Sequence, residues 1–287
     1  MNRPSKPTFP PSLFQGIVFV GGGVFIAVML VIASVKGSSV PPPVLAVLGS
    51  VALAFLLGGG VMITDGRTHD HSINLPPGLT AHVQGLALAA VLVGLFMLER
   101  SLDLQKAVDL LALQKRPMSL ALSPRFLSYA FVHVSPDHLV ANVLALLGLA
   151  PLVCKRARPG GFWFVLVLGI VLAAAASFIF NPRASAGISG GIMALMGYLA
   201  FYSLRKDTPM GERLLVIGWC SASVIYATYA VSVDSIAHVA GMIAGFASAA
   251  LLNAIRCKDR LSSVFWIAPA LMVVCALWCG FRLISAF

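Results

Sequence analysis

The sequence predicts an all-α polytopic membrane protein, and three observations carry that prediction. Of its 287 residues, 59% are hydrophobic and only 10% are charged, against about 25% charged in a soluble globular domain. The mean hydropathy is +0.94, and several apolar runs approach the ~20 residues that a helix needs to cross a bilayer. The Lys and Arg residues behind the formal net charge of +10 are scattered through short connections between those runs. Such residues set orientation and meet anionic headgroups. No basic stripe or patch points to nucleic acid, so no nucleic-acid partner is expected. The lipid bilayer is the expected surrounding.

Apolar spans fall at about 14–35, 43–63, 80–98, 137–153, 162–180, 188–204, 213–231, 236–254 and 263–284. The first follows Arg3 and Lys6 and runs from Phe14 to Val35. It exceeds the roughly 7–15 residues of a signal-peptide h-region and reads as a retained signal anchor. Pro41-Pro42-Pro43 and Pro76-Pro77-Gly78 end helices and set the first two spans apart from the rest. The longest connection, about 99–136, holds Leu102, Leu104, Val108 and Leu111 interleaved with Asp103, Lys106 and Asp109. That pattern predicts an amphipathic helix on the membrane surface.

Connections bearing Lys155, Arg156 and Arg158, then Arg205, Lys206 and Arg213, then Arg256, Lys258 and Arg260 all fall on one side, while their counterparts hold little more than Lys36 or Arg183. The positive-inside rule then places the N-terminus in the cytoplasm. The short N-terminal segment carries no organelle-type transit peptide, which favours a bacterial inner (plasma) membrane. The five cysteines have neither metal nor disulfide spacing. They read as small apolar residues, with S-acylation of Cys154 or Cys257 as the alternative. A metal site from His69, Asp70 and His71 is not expected, because adjacent side chains rarely converge on one ion.

Chemistry enters with three residues at membrane depth. Ser189 lies in Gly187-Ile188-Ser189-Gly190-Gly191, His238 in Ala237-His238-Val239-Ala240-Gly241, and His138 four residues before Asn142. Gly-x-Ser-x-Gly also marks the nucleophile elbow of soluble hydrolases, but that motif needs a strand, a turn and then a helix. Here the serine follows a loop containing Pro182 and opens an apolar helix of about 18 residues. Small residues also allow close helix packing, and for the serine alone packing is a sufficient account. Ionisable residues within spans, by contrast, are rare and point to function.

His238, Gly241, Gly245 and Ala249 form one stripe, and Gly190, Ala194 and Gly197 form another, so the two helices can pack backbone to backbone. With nine spans, numbers four, six and eight run in the same direction, from outside to inside. His138, Ser189 and His238 therefore begin near the same membrane face. Span six must start below the surface, after a loop at 181–187 that dips into the protein. A serine needs a base to become nucleophilic. No acid accompanies His238 within its helix, so a Ser189–His238 dyad is the economical proposal. His138 and Asn142, one turn apart on one face, can donate to a developing oxyanion, as can the Ser189 N–H. His133 is placed to support His138. His82, His69 and His71 read as ordinary interfacial or loop residues.

At these residues the chain resembles the rhomboid intramembrane serine proteases. The segments that carry the likeness are His133-Val-Ser-Pro-Asp-His138-Leu-Val-Ala-Asn142, Gly187-Ile-Ser189-Gly-Gly-Ile-Met-Ala-Leu-Met-Gly197 and Ala237-His238-Val-Ala-Gly241-Met-Ile-Ala-Gly245. Their order and spacing fit as well. The resemblance implies a rhomboid-like six-helix core over about 80–254, with an N-terminal segment at 1–79 holding two extra spans and one extra span in 255–287. It implies an endopeptidase that cleaves membrane-anchored protein substrates, with Ser189 and His238 catalytic, His138 and Asn142 at the oxyanion, and Gly187, Gly190, Met193, Gly241 and Gly245 in support. No cofactor and no metal are implied. Two positions depart from the family pattern. Met193 stands where an aromatic residue often packs on the catalytic histidine, and Pro124-Arg125 stands where Trp-Arg is frequent. They motivate the alternative of a catalytically inactive rhomboid-like protein that binds membrane helices. A transporter would favour paired broken helices in two halves, and no such pairing is present in the sequence. The sequence specifies no oligomeric state.

Overall fold

The computed structural model describes residues 77–115, 123–157, 160–206, 208, 210–229, 233–254 and 267–286. The predicted spans at 14–35 and 43–63 lie outside the described residues, as do His69, Asp70 and His71 and most of the 64–79 segment. Within the described residues the protein is entirely helical apart from loops and one isolated bridge between Leu113 and Ser185.

The helices are α1 (Pro77–Leu102), α2 (Leu104–Leu111), α3 (Arg125–Ser128) running into a 3-10 turn (Tyr129–Phe131), α4 (Pro136–Cys154), α5 (Gly161–Phe180), α6 (Ser189–Ser203), α7 (Met210–Tyr229), α8 (Ser235–Ala254) and α9 (Ile267–Ser285). Five of them hold stretches long and apolar enough to cross a membrane: Val83–Leu102 in α1, Pro136–Cys154 in α4, Gly161–Phe180 in α5, Ser235–Asn253 in α8 and Ile267–Ser285 in α9. Large apolar side chains such as Leu144, Ile179, Phe180, Ile243 and Val274 are more than half exposed on them. On a soluble protein such surfaces would be association-prone; here they face lipid. The chain is an integral, multi-pass membrane protein.

The local starts follow from the sequence. Ser135 caps α4 by accepting from the His138 N–H, Pro136 fills the first turn where no N–H is needed, and Asp137 complements the helix dipole. The capping position of Ser135 thus fixes where His138 projects. The predicted amphipathic segment is α2, separated from α1 by Asp103, whose carboxylate accepts from the N–H groups of Gln105 and Lys106. Ala107 and Leu111 of α2 are buried, while Lys106 and Asp109 are exposed. Arg125 and Ser128 then tie the next segment to the end of α2, donating to the carbonyls of Ala112 and Leu111 at 2.9 Å each.

The serine helix is shorter than the expected length of about 18 residues. α6 has 15 residues and is about 22 Å long at about 1.5 Å per residue, short of the ~30 Å hydrocarbon core. Ile188 and Leu204 flank it as caps rather than helical residues. The chain before it takes up part of the remaining depth, since Ser185, Gly187 and Ile188 of the preceding loop are buried. α6 is the central helix: Gly190 to Leu199 are all buried, and it packs against α8, α5, α4 and α7. Its most extensive contact is with α8.

Candidate active site

The α6–α8 contact sets the geometry. A Cβ built on Gly241 would strike the Gly190 carbonyl oxygen, and one on Gly245 would strike that of Ala194. Gly197 stands in the same relation to the Met242 carbonyl. The two small-residue stripes expected from the sequence therefore meet with backbones in contact. Their register rises together, 190 with 241 and 194 with 245, so the helices are parallel. Ser189 and His238 lie one and three residues ahead of the first contacting pair, at the same end of the two helices. The Ala237 carbonyl lies 3.8 Å from a Cβ built on Gly190. On its other side, α6 is wedged against α5, where the same Gly190 Cβ would lie 2.5 Å from the Ala173 methyl.

Ser189 is the first residue of α6, where a backbone N–H has no carbonyl within its own helix to reach. Ser189, His238 and His138 are half-buried, whereas Asn142 is buried. His138 and Asn142 converge on Gly187: a Cβ there would sit 2.6 Å from His138 Cε1, 2.9 Å from His138 Nε2 and 3.6 Å from Asn142 Nδ2. Gly187 has φ of +108°, a conformation that side chains disfavour, and its N–H donates to the Tyr129 carbonyl at 2.8 Å. Glycine is thus required twice at this position, for the turn and for the approach of the two side chains.

Several buried polar atoms here lack a hydrogen-bond partner among the described residues: Asn142 Nδ2, His238 Nδ1, and both ring nitrogens of His133. Native interiors leave few such groups, and an unused amide donor close to Gly187, in the loop that leads into Ser189, is suited to charge that develops only during a reaction. His238 Nδ1 is therefore not engaged by Ser189 in this structure. Catalytic hydrogen bonds often tighten only when substrate is bound. Met193 is buried on α6.

His133, expected to support His138, has its ring centroid 5.3 Å from that of His138. His133 is fully buried, and its backbone N–H donates to Glu99 Oε2 at 3.5 Å. Burial, together with the neighbouring His138, pushes its imidazole down to about 3 from 6.5, with the Phe131 backbone partly opposing. At neutral pH it is uncharged. No group of three or more His, Cys, Asp or Glu side chains suited to a metal ion occurs among the described residues.

Sequence reasoning misses three features around the site. Tyr129 is buried against the serine loop, its hydroxyl donating to the Ile170 carbonyl at 2.9 Å. Glu99, the single acid in α1, is completely buried. Asp234 lies just outside α8, four residues before His238, so an acid does accompany the histidine from one turn beyond the helix. Its carboxylate accepts from the Ala237 N–H at 3.0 Å and from the hydroxyls of Ser177 and Ser185. Burial raises its pKa, but hydrogen bonds from Ser177, Ser185, the Ala237 backbone and the Asn181 side chain outweigh it and hold the carboxyl below its usual range. The i, i+4 spacing from His238 is the available signal.

A family model described as the rhomboid domain matches residues 123–255, the stretch containing every catalytic and oxyanion residue expected from the sequence. The chain is 30% identical over 154 residues to rhomboid protease GluP of Bacillus subtilis, covering 51% of this chain and 30% of that protein. It is 35% identical over 176 residues to rhomboid-related protein 2 of Mus musculus, covering 55% and 57%. Against rhomboid protease GlpG of Klebsiella pneumoniae the figures are 28% over 174 residues, with 57% and 60% covered. The chain thus spans 30% to 60% of the length of these relatives.

Proposed function

We propose that this chain, which belongs to the rhomboid family, is an intramembrane serine endopeptidase that cleaves membrane-anchored protein substrates through a Ser189–His238 dyad. The observation that carries the reading is the convergence of His138 and Asn142 on Gly187, two residues before the first residue of a central helix whose parallel partner bears His238. The relatives named as rhomboid proteases support the same reaction class.

In the proposed reaction His238 takes the hydroxyl proton of Ser189 as the oxygen attacks the scissile carbonyl carbon. The carbonyl oxygen becomes an oxyanion, met by the side chains of His138 and Asn142 and by the Ser189 N–H. Collapse breaks the C–N bond, and the proton held by His238 goes to the leaving amine. Water then attacks the acyl-serine ester, giving up a proton to His238, and Ser189 leaves with that proton restored. Each group is one this chain already holds, and removal of a single oxyanion donor typically costs about 10²–10³ in kcat.

The buried, short α6 and the descending loop before it favour a site within the outer half of the bilayer, reached by water from that side. The basic connections at 155–158 and 205–213 favour the opposite face as cytoplasmic, with the N-terminus on that same side and the bacterial inner membrane as the location. The test is cleavage of a model single-span substrate by reconstituted protein. Ser189→Ala and His238→Ala are expected to abolish cleavage while keeping the wild-type melting temperature. Undiminished cleavage by either variant contradicts the dyad.

A further inference from the structure

A second polar cluster lies beside the site, where four chain segments meet. Lys115, in the segment after α2, donates from Nζ to Ser177 Oγ at 2.7 Å and to Ser185 Oγ at 3.2 Å. The two serine oxygens are 2.8 Å apart, and both hydroxyls reach Asp234 Oδ2, that of Ser185 at 2.5 Å. The other carboxylate oxygen of Asp234 caps α8 through the Ala237 N–H, and the Asp234 backbone carbonyl accepts from the His238 N–H at 3.1 Å. The arrangement is an ion pair bridged by two hydroxyls: the ammonium donates to both serine oxygens, and each serine donates its own proton to the carboxylate.

The geometry matters because of what each arm is attached to. Ser177 is on α5, the helix that packs against α6. Ser185 is on the descending loop, two residues before Gly187 and four before Ser189, and its backbone is paired with Leu113 in both directions at 2.9 and 3.1 Å. Asp234 is one helical turn before His238. One carboxylate therefore fixes the approach to the serine, the helix behind it and the start of the helix that bears the histidine. Ser177 and Ser185 are buried, which keeps these bridging hydroxyls away from substrate.

We propose that Asp234, with Ser177, Ser185 and Lys115, is a positioning residue that holds His238 in register with Ser189 through these hydrogen bonds. The proposal rests on the Ser189–His238 reading and adds to it the group that aligns the pair. A misplacement of about 1 Å between reacting groups can cost roughly 100-fold in rate.

The test uses full-length protein in proteoliposomes, with kcat and KM for a single-span substrate expressed per mole of monodisperse, folded protein. Asp234→Ala is expected to lower kcat at least ~10-fold, against the ~100-fold scale of a full misplacement, with KM changed far less. Ser185→Ala, which removes one arm, is expected to give a smaller loss of the same kind. Asp234→Asn keeps an acceptor for Ala237 and can still hydrogen-bond both serines, so it is expected to recover most of the lost kcat. Equal kcat in Asp234→Ala and wild type overturns the proposal, as does an Asp234→Asn variant no better than Asp234→Ala. A fall in melting temperature with unchanged kcat per folded molecule also overturns it, since that is a structural role alone. Ser189→Ala run in parallel separates the two failures: if it cleaves like wild type, the dyad itself is wrong and the positioning role falls with it.

Discussion

Gly245 offers a quantitative test of how the α6–α8 contact serves the site, because it lies well below Ser189 and His238 along the paired helices. A methyl group added there meets the Ala194 backbone, with its carbonyl carbon at 2.5 Å and its Cα at 2.7 Å. Carbon atoms rest at about 3.5–4.0 Å, so the shortfall is about 1 Å. The obstructing atoms are helix backbone, and no rotamer change relieves them. The two helices must separate by roughly that amount, at a cost on the order of 1–3 kcal/mol for overpacking. A shift of about 1 Å carried to the helix ends misaligns serine and histidine, for which a loss on the order of 10²-fold in rate is the scale. Gly218→Ala is the matched control: its Cβ meets nothing within 4 Å, and alanine in a helix is favoured over glycine by roughly 0.5–1 kcal/mol. Melting temperature and substrate cleavage are measured for both. Gly245→Ala is expected to lose both stability and rate, and Gly218→Ala neither. A Gly245→Ala protein with wild-type rate and melting temperature refutes the idea that this contact sets the alignment.

Gly187→Ala is expected to lower both melting temperature and kcat, since it places a side chain at φ +108° and 2.6 Å from His138 Cε1; wild-type values for both contradict the described loop. Asn142→Leu removes a buried amide donor that has no partner among the described residues. It should lower kcat by about 10²–10³-fold without loss of stability, as measured by cleavage and thermal melts; a wild-type rate removes Asn142 from the oxyanion site. His133 is held neutral in the fold, with its pKa down to about 3 from 6.5. The unfolded chain then binds the extra proton, so this stabilisation is full above about pH 6.5 and declines as pH falls toward 3, at up to about 1.4 kcal/mol per pH unit. His133→Phe is expected to flatten the dependence of unfolding free energy on pH between about 4 and 6 by up to that slope, and an unchanged slope contradicts it.

Much of the fold is legible because membrane helices declare themselves by length and hydropathy. Seven of the expected spans overlap described helices, five of which are long and apolar enough to cross a membrane, and the amphipathic segment after Asp103 is α2. The stripes Gly190/Ala194/Gly197 and Gly241/Gly245 are readable because residues three and four apart share a helix face. Their register is not, since it depends on where each helix begins in space. The ends of α6 are blurred for a local reason: Ile188 and Leu204 are as apolar as the helix they flank, so hydropathy alone includes them. The Lys115–Ser177–Ser185–Asp234 cluster is illegible for a different reason. Lys115 and Ser185 are 70 positions apart and Ser185 and Asp234 are 49 apart, and serines at the ends of apolar spans carry no periodic signal. Asp234 alone stands at a telling distance from His238.

The central claim is that Ser189 is the nucleophile and that His238 activates it. A fluorophosphonate probe, incubated with reconstituted protein and mapped by peptide mass spectrometry, tests this directly. The account predicts covalent labelling at Ser189 in wild type, none in Ser189→Ala, and labelling slowed by about 100-fold or more in His238→Ala, the scale of general-base assistance. Labelling at another serine, or a wild-type labelling rate in His238→Ala, contradicts it.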